Sequence, residues 1–305
     1  MEHRCRSTSK SNQGVIRKAM MRVIINADDF GINEIVTREI EKLIKTGAIS
    51  STTIMANGKS LQLVEKIVHD HPEISYGAHL CMDEFDSLTA SDTLYKFGLI
   101  DKGGKFIRGA IFEIKDYPDE LKNAIIDELS AQIEKLLSLG IPISHIDSHH
   151  HFHTIYKLKD VISYVMDKYE IEKVRLCYNI STFEILKNKI FNKKGNYSNI
   201  ETSSIVKKMN VNVMSKIKTL LKSKYLIYLM NKYYNNRYKV TNGFESYSSF
   251  LNIDRVRKRY KDKDCIELMC HPGHSGKQYQ KEAIEVSEML LVNSTNYQLI
   301  SYNEL

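Results

Sequence analysis

Tryptophan is absent from this chain of 305 residues, so any flat aromatic surface offered to a ligand must be tyrosine or phenylalanine. The five cysteines (Cys5, Cys81, Cys177, Cys265, Cys270) form no CxxC pair and no regular spacing. That pattern excludes a disulfide framework and points to reduced thiols and a cytoplasmic setting. No apolar run approaches the roughly 18 to 20 residues that a membrane-spanning helix needs. The first residues, MEHRCRSTSKSNQGVIRKAMM, are basic but carry no apolar core, which excludes a secretory signal. Residues 1–20 read as a disordered leader, and 21–305 as one domain.

The net charge of +7 is unevenly placed. Between Ile185 and Val240 stand twelve lysines, one arginine and one glutamate, so this segment carries +12 and the remainder −5. The basic pI therefore describes one segment, and nucleic-acid binding by the whole protein does not follow from it. Within the segment, Val213, Ile217, Leu220, Leu221, Tyr225 and Tyr228 share one helical face while Lys216, Lys218 and Lys222 lie elsewhere. A basic helical insertion at about 185–240, packed on the main body with a solvated edge, accounts for the pattern. A cap or dimer arm facing an anionic substrate or a membrane surface is the sharper alternative.

Outside the insertion, strand-like and helix-like segments alternate. RVIINA (22–27) is a short β-branched run ending in Asp28-Asp29. Asn33 can cap a helix that buries Val36, Ile40, Leu43 and Ile44 and closes at Gly47. Further strands are expected at 48–57, 74–80, 141–147, 173–177, 265–270 and 297–301, with helices at 61–69, 119–139, 156–168 and 282–291. Repeated β-then-α units build a parallel sheet, and seven or so favour a barrel over an open sheet. A doubly wound sheet would want a glycine-rich phosphate turn after the first strand, where this chain has Asp-Asp-Phe-Gly. That DFG is not a kinase motif, because the glycine-rich and HRD loops are missing. The expected fold is α/β, an irregular (β/α) TIM-like barrel.

In such a barrel the C-terminal strand ends share one mouth. Here they deliver Asp28-Asp29, His79, the run HIDSHHHFH (145–153) and His271. An aspartate before a helix is ordinarily a cap, and a lone histidine is ordinarily a hydrogen-bonded core residue. Clustered histidines with aspartates are different, because burying them costs free energy unless something pairs with them. One carboxylate and two imidazoles hold a divalent ion with positions left open for water and substrate. A second carboxylate can then take a proton from that water, and a histidine across the mouth can protonate a leaving group. Spacing does not choose among His149, His151 and His153, and if the run stays extended, His151 and His153 share the face of His149.

The motifs INADDFG, GAISSTTIMANG, GAHL, SHIDSHHHFH and ELMCHPG, in that order, resemble those of the YdjC-like carbohydrate deacetylases. The likeness covers about 22–178 and 241–305. It implies an irregular β/α barrel, one divalent metal ion (Mg²⁺ or Zn²⁺, with Mn²⁺ also compatible) and removal of acetyl groups from an N-acetylated sugar of the chito-oligosaccharide type. Carried over by motif, Asp29, His79 and His149 are the metal ligands, Asp28 the general base and His271 the acid. His151, His153 and Phe30 become substrate-binding candidates, with Phe152 and Phe244 as further stacking surfaces. The expected partners are the sugar and a second copy in a homodimer, with no nucleic acid. Another barrel hydrolase, such as a phosphoesterase or amidohydrolase, would commonly hold two metals and want a further carboxylate or lysine at a strand end, which the sequence does not display. A non-catalytic sugar-binding protein would need no base–acid pair.

Overall fold

The computed structural model describes residues 20–176, 213–262 and 264–305. Seven parallel strands form one curled sheet: β1 (Met21–Phe30), β2 (Ser51–Ile54), β3 (Ser75–Leu80), β4 (Ile143–Ser148), β5 (Gly243–Ser246), β6 (Cys265–Cys270) and β7 (Tyr297–Leu299). The order is β4-β3-β2-β1-β6-β5, and β7 pairs with the first residues of β1. Single bridges extend the β4 edge, Ile146 to Val174 and Lys173 to Lys239. The chain then turns so that Asn242 N–H donates to Cys265 O at the opposite edge. The fold is therefore α/β and barrel-like, with a curled parallel sheet in place of a full eight-stranded TIM barrel.

Alternation along the strands sorts the side chains. Val23, Ile25 and Ala27 of β1 and Ile266, Leu268 and Cys270 of β6 join the main apolar core under the helices. Ile24 and Cys265 turn the other way and form a small separate cluster with Ile300 and Tyr302 near the C-terminus. By the same period of two, Asn26 and Asp28 follow Ile24, and Glu267 follows Cys265. The inward face thus starts apolar and becomes polar toward the C-terminal strand ends. Cys81, Cys265 and Cys270 are buried free thiols.

Helix α1 (Glu34–Lys45) begins where Asn33 Oδ1 accepts from Val36 N–H at 3.0 Å, and it buries Val36, Ile40, Leu43 and Ile44. Helix α5 (Asp119–Ser138), preceded by α2 (Leu61–Asp70) and the short α3 (Asp92–Lys96) and α4 (Ala110–Glu113), packs against α6 (Lys159–Lys168). The basic segment contains helix α7 (Val213–Asn235). Its sequence-defined apolar face is not the buried one where side chains are described: Leu221, Tyr225 and Tyr228 are exposed, whereas Met230 and Tyr234 are fully buried. Tyr234 Oη donates to His153 O at 2.8 Å, so the end of α7 anchors on the loop after β4. The expectations for residues 1–19 and 177–212 lie outside the described residues. No helix among the described residues is long and apolar enough to cross a membrane.

Candidate active site

Asp28 and Asp29 are the last acidic residues of β1, and their side chains do different things. Neither caps α1, since Asn33 takes that role. Asp29 adopts φ of 68°, a left-handed conformation that aspartate tolerates better than most residues. Its carbonyl accepts from Ile32 N–H in the turn that follows. The turn is pressed against the loop after β2: a Cβ on Gly58 would stand 2.2 Å from Gly31 O. Gly58→Ala is expected to destabilise the protein by about 1–3 kcal/mol through this overpacking of backbone on backbone. Urea denaturation checks it, and an unchanged midpoint would show that the two loops separate freely.

Asp29 gathers three imidazoles. His79 Nε2 lies 3.1 Å and His149 Nδ1 2.8 Å from Asp29 Oδ1, and His274 Nε2 lies 2.9 Å from Oδ2. The far side of His79 is fixed as well: Nδ1–H donates to Asp147 Oδ1 at 2.7 Å, and Thr53 Oγ donates to Asp147 Oδ2 at 3.1 Å. Burial pulls the His79 pKa down, but Asp147 and Asp29 outweigh it and raise it to about 9. Asp29 is held well below the usual carboxylate range: burial opposes this, and His149, His274 and His79 prevail.

Asp28 faces a different partner. Arg175 donates from both terminal nitrogens, at 2.7 Å to Oδ2 and 2.6 Å to Oδ1, and Asn26 Nδ2 donates at 2.8 Å. The same guanidinium reaches Asp147 Oδ2 at 2.6 Å and Glu267 Oε1 from Nε at 2.7 Å, and it stacks 4.7 Å from the Phe244 ring. Tyr302 Oη closes the chain by donating to Glu267 Oε2 at 2.5 Å. Arg175 is fully buried, so three carboxylates surround one cation out of reach of water. Against burial, which raises it, Arg175 holds Asp28 well below the ordinary carboxylate value, leaving it ionised.

His271 Nε2 is 4.0 Å from Asp28 Oδ2, and its backbone N–H donates to Glu282 Oε2 at 2.9 Å. Burial lowers its pKa, but Glu282, Asp28 and Asp29 together raise it above the ordinary histidine value. His271 is thus biased toward the protonated form beside an ionised carboxylate.

The residues present fit a divalent ion. Asp29, His79 and His149 offer one oxygen and two nitrogens, all within 4.8 Å of one another. A carboxylate behind a ligand histidine is the usual way to fix its tautomer and leave the other nitrogen's lone pair facing a metal, and Asp147 stands behind His79 in that way.

A family model described as "YdjC-like protein" matches residues 22–300. The chain belongs to the YdjC-like family. Among relatives, the carbohydrate deacetylase of Vibrio campbellii is 36% identical over 152 residues, covering 50% of this chain and 57% of that protein. The carbohydrate deacetylase of Thermoanaerobacter pseudethanolicus is 32% identical over 160 residues, covering 50% and 59%. The chain thus spans somewhat more than half the length of these curated relatives. A crystal structure from Enterococcus faecalis V583, provisionally named for cellobiose-phosphate cleavage, superposes with a TM-score of 0.59 at 20% identity, over 93% of this chain and 98% of that one. At that identity the likeness concerns the fold.

Within this YdjC-like chain the structure brings Asp28, Asp29, His79, His149 and His271 together, and it buries two of the three expected substrate residues, His153 and Phe30. The run after β4 is not extended. It winds as a 3₁₀ segment (His149–Thr154) with His150 and His151 at φ of 51° and 59°, so period-two alternation does not apply there. His153 is fully buried, its Nδ1 2.6 Å from Ser148 Oγ and its Nε2 3.3 Å from Arg175 O. Burial, then Arg175, drives its pKa down to about 3, as expected of a neutral core histidine. His151 lies edge-on to Phe244, with ring centroids 5.5 Å apart. Phe30 and Phe152 are fully buried in the apolar core, and Phe244 is buried under Arg175. None of these three phenylalanines presents a surface on which a ligand could stack.

Sequence reasoning did not select Asp147, Arg175, Glu267 or His274. Signals existed for all four. Arg175 in KVRLC and Glu267 in CIELMC are lone charges inside apolar strands, which only a buried pairing explains. Asp147 is one inward position from His145 on β4. His274 follows His271 across Pro272-Gly273, and Gly273, at φ of 80° and where a Cβ would stand 2.8 Å from Val36 Cα, lets the loop bring His274 to Asp29.

Proposed function

We propose that this protein is a metal-dependent hydrolase that removes acetyl groups from N-acetylated sugars of the chito-oligosaccharide type. The observation that carries the reading is the division of labour between adjacent residues: Asp29 joins His79 and His149, while Asp28 is ionised, held by Arg175 and 4.0 Å from His271. Naming of the relatives as carbohydrate deacetylases supports the substrate class.

Asp29, His79 and His149 would hold the ion. When bound, a divalent ion there polarises a carbonyl oxygen and makes water more acidic. Asp28 accepts a proton as the oxygen of water bonds to the acetyl carbon. The carbon–nitrogen bond then breaks, and His271 gives its proton to the departing amine, so that acetate and a free amino sugar result. Arg175 holds both oxygens of Asp28, which fixes the direction in which the carboxylate can take a proton. This orientation offsets the weak basicity that the same pairing imposes.

Purified protein assayed for acetate release over N-acetylated mono- and oligosaccharides, with elemental analysis alongside, tests the reading. Release is expected from at least one sugar amide, to be abolished by chelation and restored by Zn²⁺, Mn²⁺ or Mg²⁺. Release that survives complete removal of metal would overturn the metal dependence, and no release from any metal-loaded sample would overturn the activity.

A further inference from the structure

His149 stands between two groups of ligand atoms. Its Nδ1 is engaged with Asp29 Oδ1 at 2.8 Å. Its Nε2, on the other edge of the ring, is buried and has no hydrogen-bond partner, in a residue only 7% exposed. A buried imidazole nitrogen that meets a carboxylate only beyond hydrogen-bond length is incompletely satisfied, and a cation held between such groups is one way to complete it. On that side Glu84 Oε2 lies 3.6 Å away. Asp83, 1% exposed, directs Oδ2 to His150 Nδ1 at 2.6 Å. Asp83, His149 and His150 each offer one ligand atom, and the three atoms lie within 4.8 Å of one another. Nδ1 of His149 is committed to Asp29, so Nε2 is the nitrogen on which a second ion would be taken up.

The chain places these residues by two strand exits. Asp83 and Glu84 follow β3, and His150 follows β4, turned back toward Asp83 by its left-handed backbone. They supply the additional strand-end carboxylates that the sequence, read alone, did not display for a two-metal site. Glu84 also sees Arg108, at 3.5 Å from its other oxygen, so it is the least committed member of the set.

We propose that the protein binds a second divalent cation between Asp83, His149 and His150, with Glu84 in reach, beside the ion of the Asp29–His79–His149 group. The inference rests on that first site being a metal site. His149 serves both ions, one ring nitrogen to each, and on full loading its neutral ring releases its single N–H proton to solvent and bridges as imidazolate. The proton shared by Asp83 and His150 is displaced in the same way. The mixed oxygen and nitrogen donors suit Mn²⁺ or Zn²⁺ better than Ca²⁺. His150 and Glu84 are partly exposed, so open coordination positions face solvent, where a hydroxyl or anionic group of a substrate can reach them.

Full-length protein, stripped with chelator and reloaded with Mn²⁺, is the test. The wild type is expected to saturate at two Mn²⁺ per chain, with a broadened, spin-coupled electron paramagnetic resonance spectrum from ions that share one ring. Asp83→Asn is expected to saturate at one, with the six-line spectrum of an isolated ion. His150→Ala, at a partly exposed position, gives the same reading should the buried Asp83 variant fold poorly. Saturation of the wild type at one ion, two uncoupled ions, or two coupled ions retained in a folded variant would each overturn the second site. One ion together with acetate release would overturn it and leave the proposed function standing, whereas no bound ion would overturn both.

Discussion

Asp28→Asn is expected to lower acetate release by about 10²- to 10⁴-fold, the range usual for loss of a general acid–base group. The amide has the size of the carboxylate but no basic oxygen. The variant should still fold, because Arg175 keeps Asp147 and Glu267 as ionised or hydrogen-bonded partners when Asp28 is replaced. It should also keep its ion, since Asp28 is outside the Asp29–His79–His149 group. Elemental analysis and acetate release on the same sample check both halves. Normal turnover with metal bound would remove Asp28 from the role of base. Lost turnover with lost metal would show that the two aspartates do not divide their work. His149→Ala provides the contrast, because it should lose metal and activity together.

Much of this arrangement was readable from local pattern. Alternation in VIINADD already separates Val23, Ile25 and Ala27 from Ile24, Asn26 and Asp28, and the structure turns the first set to the helices and the second inward. The cap at Asn33 and the helix 119–138 followed from spacing and side-chain chemistry that act within a few residues. What local pattern could not supply was anything set by a partner far along the chain. Arg175 and Asp28 are 147 residues apart, and only the closing of the sheet reveals that they are one ion pair. Histidine at positive φ, as at His150 and His151, has no sequence mark as clear as glycine's, so the turn after β4 and the burial of His153 were not visible. The stretch 173–177 reads from local pattern as a regular strand. Its described part makes only single bridges, and its real contribution is one inward-pointing guanidinium.

Arg175→Met should have the largest effect on stability, and it should reverse how stability depends on pH. The substitution keeps apolar bulk against Phe244 but leaves the buried carboxylates of Asp28, Asp147 and Glu267 without their cation. Removing one partner from a buried ion pair costs about 3–5 kcal/mol, a large share of the roughly 5–15 kcal/mol that holds a domain folded. In the wild type, Asp28 titrates below its unfolded value, so its contribution is present above that value, near pH ~4, and is lost as pH falls through the folded one. In Arg175→Met, burial is opposed by the weaker pulls of His79 and His271 and no longer by the guanidinium, and it is expected to carry Asp28 above its unfolded value, where Glu267 already lies because burial dominates it. A carboxyl raised in the folded state adds stability at acid pH and withdraws it as pH rises through the folded value. The variant's urea midpoint should therefore be higher at about pH 5 than at about pH 8, and its deficit against the wild type should widen across that interval. A deficit that stays constant with pH would mean that the guanidinium acts through packing alone, and that the three carboxylates find their charge balance elsewhere.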